Sequence, residues 1–127
     1  MNIWIFSAGI ISLFTSFVHI FAGQVDPVRP FLKSDFPDLP KATLLGCWHM
    51  VSSILVLAGV TLVYIGWFGL DSFQNLVLGI SICFIIFSVV FIMVGWHFFK
   101  LHTFSKLPQW MLLLPIGVLG LLGIIYI

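Results

Sequence analysis

The residues in this sequence best suited to chemistry are its four histidines, His19, His49, His97 and His102. A neutral imidazole is the commonest side-chain ligand for a transition metal and the usual axial ligand for haem iron. No two of them are spaced to chelate within one helical turn, so a site must be assembled from separate segments. Cys47 and His49, at i and i+2, point to different helix faces and make a poor ligand pair.

Their neighbours sharpen the picture. Ser12, Ser16, His19 and Gly23 follow i, i+4, i+7, i+11 spacing, one stripe of a helix. Gly46, His49 and Ser53 form a second stripe. Small residues allow close helix approach, and hydroxyls can orient an imidazole from behind. The expected site is therefore histidine-lined and takes a metal ion or a b-type haem. For a metal, His19, His49 and His97 supply three ligands and leave one position for water. For haem, His19 pairs with His49 or with His97, and Arg29, Lys33 and Lys41 hold the propionates. His19 and His49 are expected to approach each other, with His97 nearby. His97 stands beside Trp96 in an aromatic belt, and His102 reads as a solvated interfacial residue. No catalysed reaction is implied, and the chain is not assigned as an enzyme.

The elements that would position these residues are membrane spans. Hydrophobic residues make up 61% of the 127 and charged residues 7%, against roughly 45–50% and about 25% in a soluble domain. So little charge cannot coat a soluble surface, and the apolar excess is expected to face lipid. Four apolar segments stand out, about 3–22, 42–68, 73–99 and 109–127, and only helices satisfy their backbone groups in lipid. The fold class is all-α: a single domain of four transmembrane helices in one antiparallel bundle. The N-terminal run has no basic residue ahead of it and no small-x-small cleavage pattern, so it reads as an uncleaved span and not a signal peptide.

The first connection, residues 23–41, carries four prolines and six charges, which stop either neighbouring span from running through it. Asp38 is the expected N-cap of the second helix, with Pro40 in its first turn. Asp71 or Ser72 is expected to cap the third, and Pro108 to open the fourth, with a kink at Pro115. All five basic residues, Arg29, Lys33, Lys41, Lys100 and Lys106, fall in or beside the first and third connections. The positive-inside rule then makes 23–41 a cytoplasmic loop and puts both termini on the non-cytoplasmic side of the inner or plasma membrane. Trp4, Tyr64, Trp67 and Tyr126 mark the outer interface, and Trp48, Trp96 and Trp110 the inner one. All four imidazoles then lie towards the cytoplasmic face.

Other patterns concern packing. Leu39-Pro40-x-x-x-Leu44-Leu45 matches Leu107-Pro108-x-x-x-Leu112-Leu113, a spacing that two duplicated hairpins would produce. Ser81, Ser88, Gly95 and His102 recur every seven residues and read as a packing seam. Gly117, Gly120 and Gly123 give the fourth helix a smooth face for packing in the bundle or between protomers. Ser12, Ser16, Gly46, Ser53, Gly117 and Gly120 are all expected to face protein.

Several function classes drop out. The spans hold no Asp or Glu, which removes the usual carboxylate device for ion-coupled transport and for carboxylate-bridged di-iron. P-loop, Rossmann, H-E-x-x-H, nucleophile-elbow and Cys-x-x-Cys patterns are absent. Five basic residues make no nucleic-acid footprint. Cys47 and Cys83 form no disulfide framework and read as buried small hydrophobes. Two alternatives stand beside the ligand site. One is a small oligomeric transporter or channel with its path between protomers. The other is a non-catalytic accessory subunit of a larger membrane complex.

Overall fold

The computed structural model describes residues 1–69 and 72–126. It is 90% helix, and no strand occurs among the described residues. Four helices dominate: α1 (Ile3–Phe17), α3 (Asp38–Phe68), α4 (Gln74–Phe99) and α6 (Gln109–Ile125). The short helices α2 (Arg29–Leu32) and α5 (Thr103–Lys106) lie in the connections. Three helical stretches, Ile3–Leu32, Asp38–Phe68 and Gln74–Lys106, are long and apolar enough to cross a membrane. About a third or less of each is buried inside the protein. The apolar α6 is shorter, with 17 residues.

The helices meet in the order α3–α1–α6–α4: α1 packs on α3, α6 packs on α4, and α1 joins α6. The sequence neighbours α3 and α4 share no comparable interface. The row is bowed. Ile5 and Ala8 of α1, Leu62 of α3, Phe84 of α4 and Ile116 of α6 all enter one apolar core. The five residues between Phe68 and Gln74 can span at most about 21 Å. Three helix spacings laid flat would need roughly 24–30 Å.

Small residues set the close contacts. A Cβ at Gly66 would lie 2.6 Å from the Phe6 Cα, and one at Gly117 would lie 2.6 Å from the Ser81 carbonyl oxygen. Neither helix pair could close with an alanine there unless a backbone moved. Ser12, Ser16, Gly117 and Gly120 are buried as expected. Gly46 and Ser53 are not. Both are exposed, and a Cβ at Gly46 would meet nothing within 4 Å. Their stripe lies on the face of α3 turned away from α1.

Asn2 ties one end of the bundle together. Its Oδ1 accepts from the Trp4 and Ile5 amides, both at 3.2 Å, which caps α1. Its Nδ2 donates to the Gly123 carbonyl of α6 at 2.7 Å, and its backbone N–H to the Gly66 carbonyl of α3 at 2.7 Å. One residue thus holds the ends of three helices. Just beyond, Gly69 leaves α3 with φ +136°, a conformation open to glycine.

The connections differ from expectation in detail. Residues 23–32 are mostly helical. Wide π-type turns run over Val18–Ala22 and Gln24–Val28, interrupted at Asp26 (φ −148°, ψ 116°). The residue before a proline is pushed out of the helical region, and Pro27 then starts a new turn without needing an N–H donor. The prolines therefore break the first helix once and permit a second short one. Pro37 occupies the N-cap position of α3, and Asp38 is its first helical residue. The carboxylate still favours the helix N-terminus through the dipole. Phe73 holds the N-cap position of α4, in place of Ser72; Asp71 lies outside the described residues. α6 continues through Pro115. The duplication reading does not fit: Pro40 is the third residue of α3, whereas Pro108 precedes α6. A two-fold pairing α1 with α6 would also pair α4 with α3, and those two share no such interface.

Candidate functional site

The basic residues gather where α1 ends, α3 begins and α4 gives way to α6. His19 sits here, inside the π-type turn Val18–Ala22. Such turns carry one extra residue per turn and recur at functional sites. Its half-buried ring stacks on Trp48, with centroids 3.9 Å apart and planes 17° from parallel. Its Nε2 lies 3.4 Å from the Trp48 carbonyl oxygen, a hydrogen bond only in the tautomer protonated at that nitrogen. Trp48 also lies over Gly23, where a Cβ would come within 2.7 Å of the indole Cη2. Gly23, His19 and Trp48 form one fitted corner.

Helix geometry explains why His19 meets Trp48 and not His49. Consecutive helical residues point about 100° apart. With Trp48 turned towards α1, His49 is swung onto the outer face, where it is exposed. His19 is level with His49 along the helix axis, because it reaches the carbonyl next to the His49 amide. The two side chains still serve different faces.

The remaining expected site residues are dispersed. His97 is exposed near the end of α4, edge-to-face with Phe98 at 5.1 Å. α4 shares no extended interface with α1, so His97 does not complete a pair with His19. His102 is exposed in the single-turn helix Lys100–His102. No group of three His, Cys, Asp or Glu side chains able to hold a metal ion occurs among the described residues. Arg29 on α2 and Lys33 at its C-terminal cap are exposed, and the Lys41 ammonium donates to the Ser34 carbonyl. Cys47 and Cys83 are exposed and free, on the outward faces of their helices, and are not buried as their size suggested.

The serine hydroxyls serve the backbone and not an imidazole. Ser12 donates across to the Leu55 carbonyl of α3 at 3.0 Å, and Ser16 to the Ser12 carbonyl at 2.8 Å. Ser53 donates to the His49 carbonyl at 3.0 Å. With these hydroxyls committed, the corner holds one imidazole, one indole and no oriented nucleophile or acid.

Beside the corner lies an apolar groove of about 280 Å³. Pro27, Val28 and Phe31 form one wall, and Leu44, Leu45 and Trp48 of α3 form the other. Trp48 therefore has two jobs: it stacks on His19 and lines the groove. Sequence reasoning took it for an interface marker only. Gly23, four residues after His19, was the available signal that a large ring must lie against that turn.

In comparisons with known proteins, no family model, no curated protein and no solved structure matches this chain.

Proposed function

We propose that this chain is a small multi-pass protein of the inner or plasma membrane that works by association, as a non-catalytic accessory subunit of a larger membrane complex. In this reading α1, α3, α4 and α6 all cross the bilayer. The basic connections lie in the cytoplasm, and both termini lie outside. The observation that carries the reading is the open face of α3. His49 is exposed there among Ala42, Gly46 and Ser53, with empty space over Gly46. A 31-residue helix is about 46 Å long, some 16 Å more than the hydrocarbon core. His49 is eleven residues from its start, roughly 16 Å along the axis, and so about 8 Å inside the hydrocarbon when the helix is centred. A polar ring turned to lipid at that depth is costly, whereas a helix packed over the small residues would supply it with a hydrogen-bond partner.

The test is site-specific photo-crosslinking in native membranes. A probe at position 49 is expected to give a heavier adduct. A probe at Gly79, on an equally open face of α4, is expected to give none. No adduct at 49, or equal adducts at both, would refute the subunit reading.

A ligand-binding reading remains as a second proposal, favoured by one observation: His19 reaches the level of His49. A haem or metal between them would require the His49 ring to swing towards α1. An absorption spectrum and metal analysis of gently purified protein would decide it. A colourless, metal-free preparation ends that proposal.

A further inference from the structure

We propose that the groove between α2 and the start of α3 is a seat for one acyl chain of a membrane phospholipid, with Lys41 holding the phosphate. This rests on the membrane placement proposed above, but not on the subunit reading.

All six lining residues are apolar, so water inside would lack the two or more polar partners it needs. In the membrane placement proposed above, the surrounding bilayer supplies extended hydrocarbon chains to this open apolar groove, and the lysine at its end selects one that carries a phosphate.

Charge fixes the polar end. On α3, Lys41 precedes Leu44, Leu45 and Trp48 by one to two turns and falls on the same helix face. Its ammonium gives one donor to the Ser34 carbonyl at 2.5 Å, and two of its three donors remain for a phosphate at the groove's end. It binds that carbonyl rather than Asp38, three residues before it. Arg29 and Lys33 do not belong to this seat. By helical register Arg29 and Lys33, at the two ends of α2, lie on the side opposite Val28 and Phe31, away from the groove.

The experiment is native mass spectrometry of the full-length protein in detergent, titrated with phosphatidylglycerol and, separately, with diacylglycerol. The parent is expected to keep one phosphatidylglycerol. Leu45→Trp fills the groove and should weaken both lipids tenfold or more. Lys41→Gln should weaken phosphatidylglycerol about three- to tenfold and leave diacylglycerol unchanged. Gly79→Leu, on the open face of α4, should match the parent. Circular dichroism checks that each variant is helical; should Leu45→Trp fail, Leu44→Phe takes its place. Unchanged lipid binding in the groove-filling variant overturns the proposal; so does a parent that runs as a dimer and becomes monomeric in that variant while keeping its lipid, which would make a second copy the occupant. Carbonate-resistant recovery in the membrane fraction tests the membrane placement separately.

Discussion

Replacing Asn2 with alanine removes three hydrogen bonds at once: two amides capped at the start of α1 and the bridge from Nδ2 to the Gly123 carbonyl. The backbone bond from Asn2 to Gly66 survives. Loss of an Asn cap costs about 1 kcal/mol. The interhelical bond adds about 1 kcal/mol, since such bonds inside membranes average ~0.6 and reach ~1.7 kcal/mol. Together Asn2→Ala should cost about 2 kcal/mol, a roughly thirty-fold fall in the folded-to-unfolded ratio. Asn2→Ser keeps a capping oxygen but cannot span to α6, so it should lose about half as much. Reversible unfolding by sodium dodecyl sulfate in mixed micelles, followed by circular dichroism, measures both. A change below about 0.5 kcal/mol for Asn2→Ala would show that the three helix ends are held by packing alone and that the clamp has no energetic role.

Two further perturbations use contrasts within the protein. Gly66→Ala drives a methyl into the Phe6 backbone and should destabilise the α1–α3 pair by about 1–3 kcal/mol, whereas Gly46→Ala meets empty space and should be neutral or slightly stabilising in the same assay. Cysteines at Lys33 and Lys106 should react only with reagent supplied from the cytoplasm, and one at Ser72 only with reagent from outside; the reverse pattern would invert the proposed orientation.

The four long helices were legible because their apolar runs are too long for strands, and in the proposed membrane setting only a helix satisfies such a backbone. The buried roles of Ser12, Ser16, Gly117 and Gly120 were legible from helical spacing. The same logic failed for Gly46 and Ser53. A stripe of small residues shows that something can come close, but not whether it belongs to the same chain. The order α3–α1–α6–α4 was not legible, because a small-residue face shows that a helix packs closely but not which helix it packs on. The expected meeting of His19 and His49 depended on side-chain direction, and one residue of register put Trp48 there instead. The first connection was read as a proline-rich break, yet proline blocks a helix interior and not its first turn. Asn2 stood immediately before the first apolar run, where a cap belongs, and its reach to two other helices depended on tertiary contacts that spacing does not show.

The unequal helix lengths set a demand on the surrounding lipid. The 17 residues of α6 cover about 25 Å, some 5 Å less than an average hydrocarbon core, whereas α3 covers about 46 Å. Within the proposed membrane placement, α3 can tilt or project to absorb its excess, whereas α6 cannot lengthen and draws the two leaflets together where its flanking residues do not make up the difference. The bilayer beside the exposed stripe of Met111, Val118 and Ile125 would then be locally thinned, at fractions of a kcal/mol per Å. The protein would partition towards short-chain, thin regions of a mixed membrane, with the thinning confined to one side of the bundle. Two copies sharing that thinned strip would deform less lipid than two apart, a bilayer-borne attraction that needs no contact between the proteins.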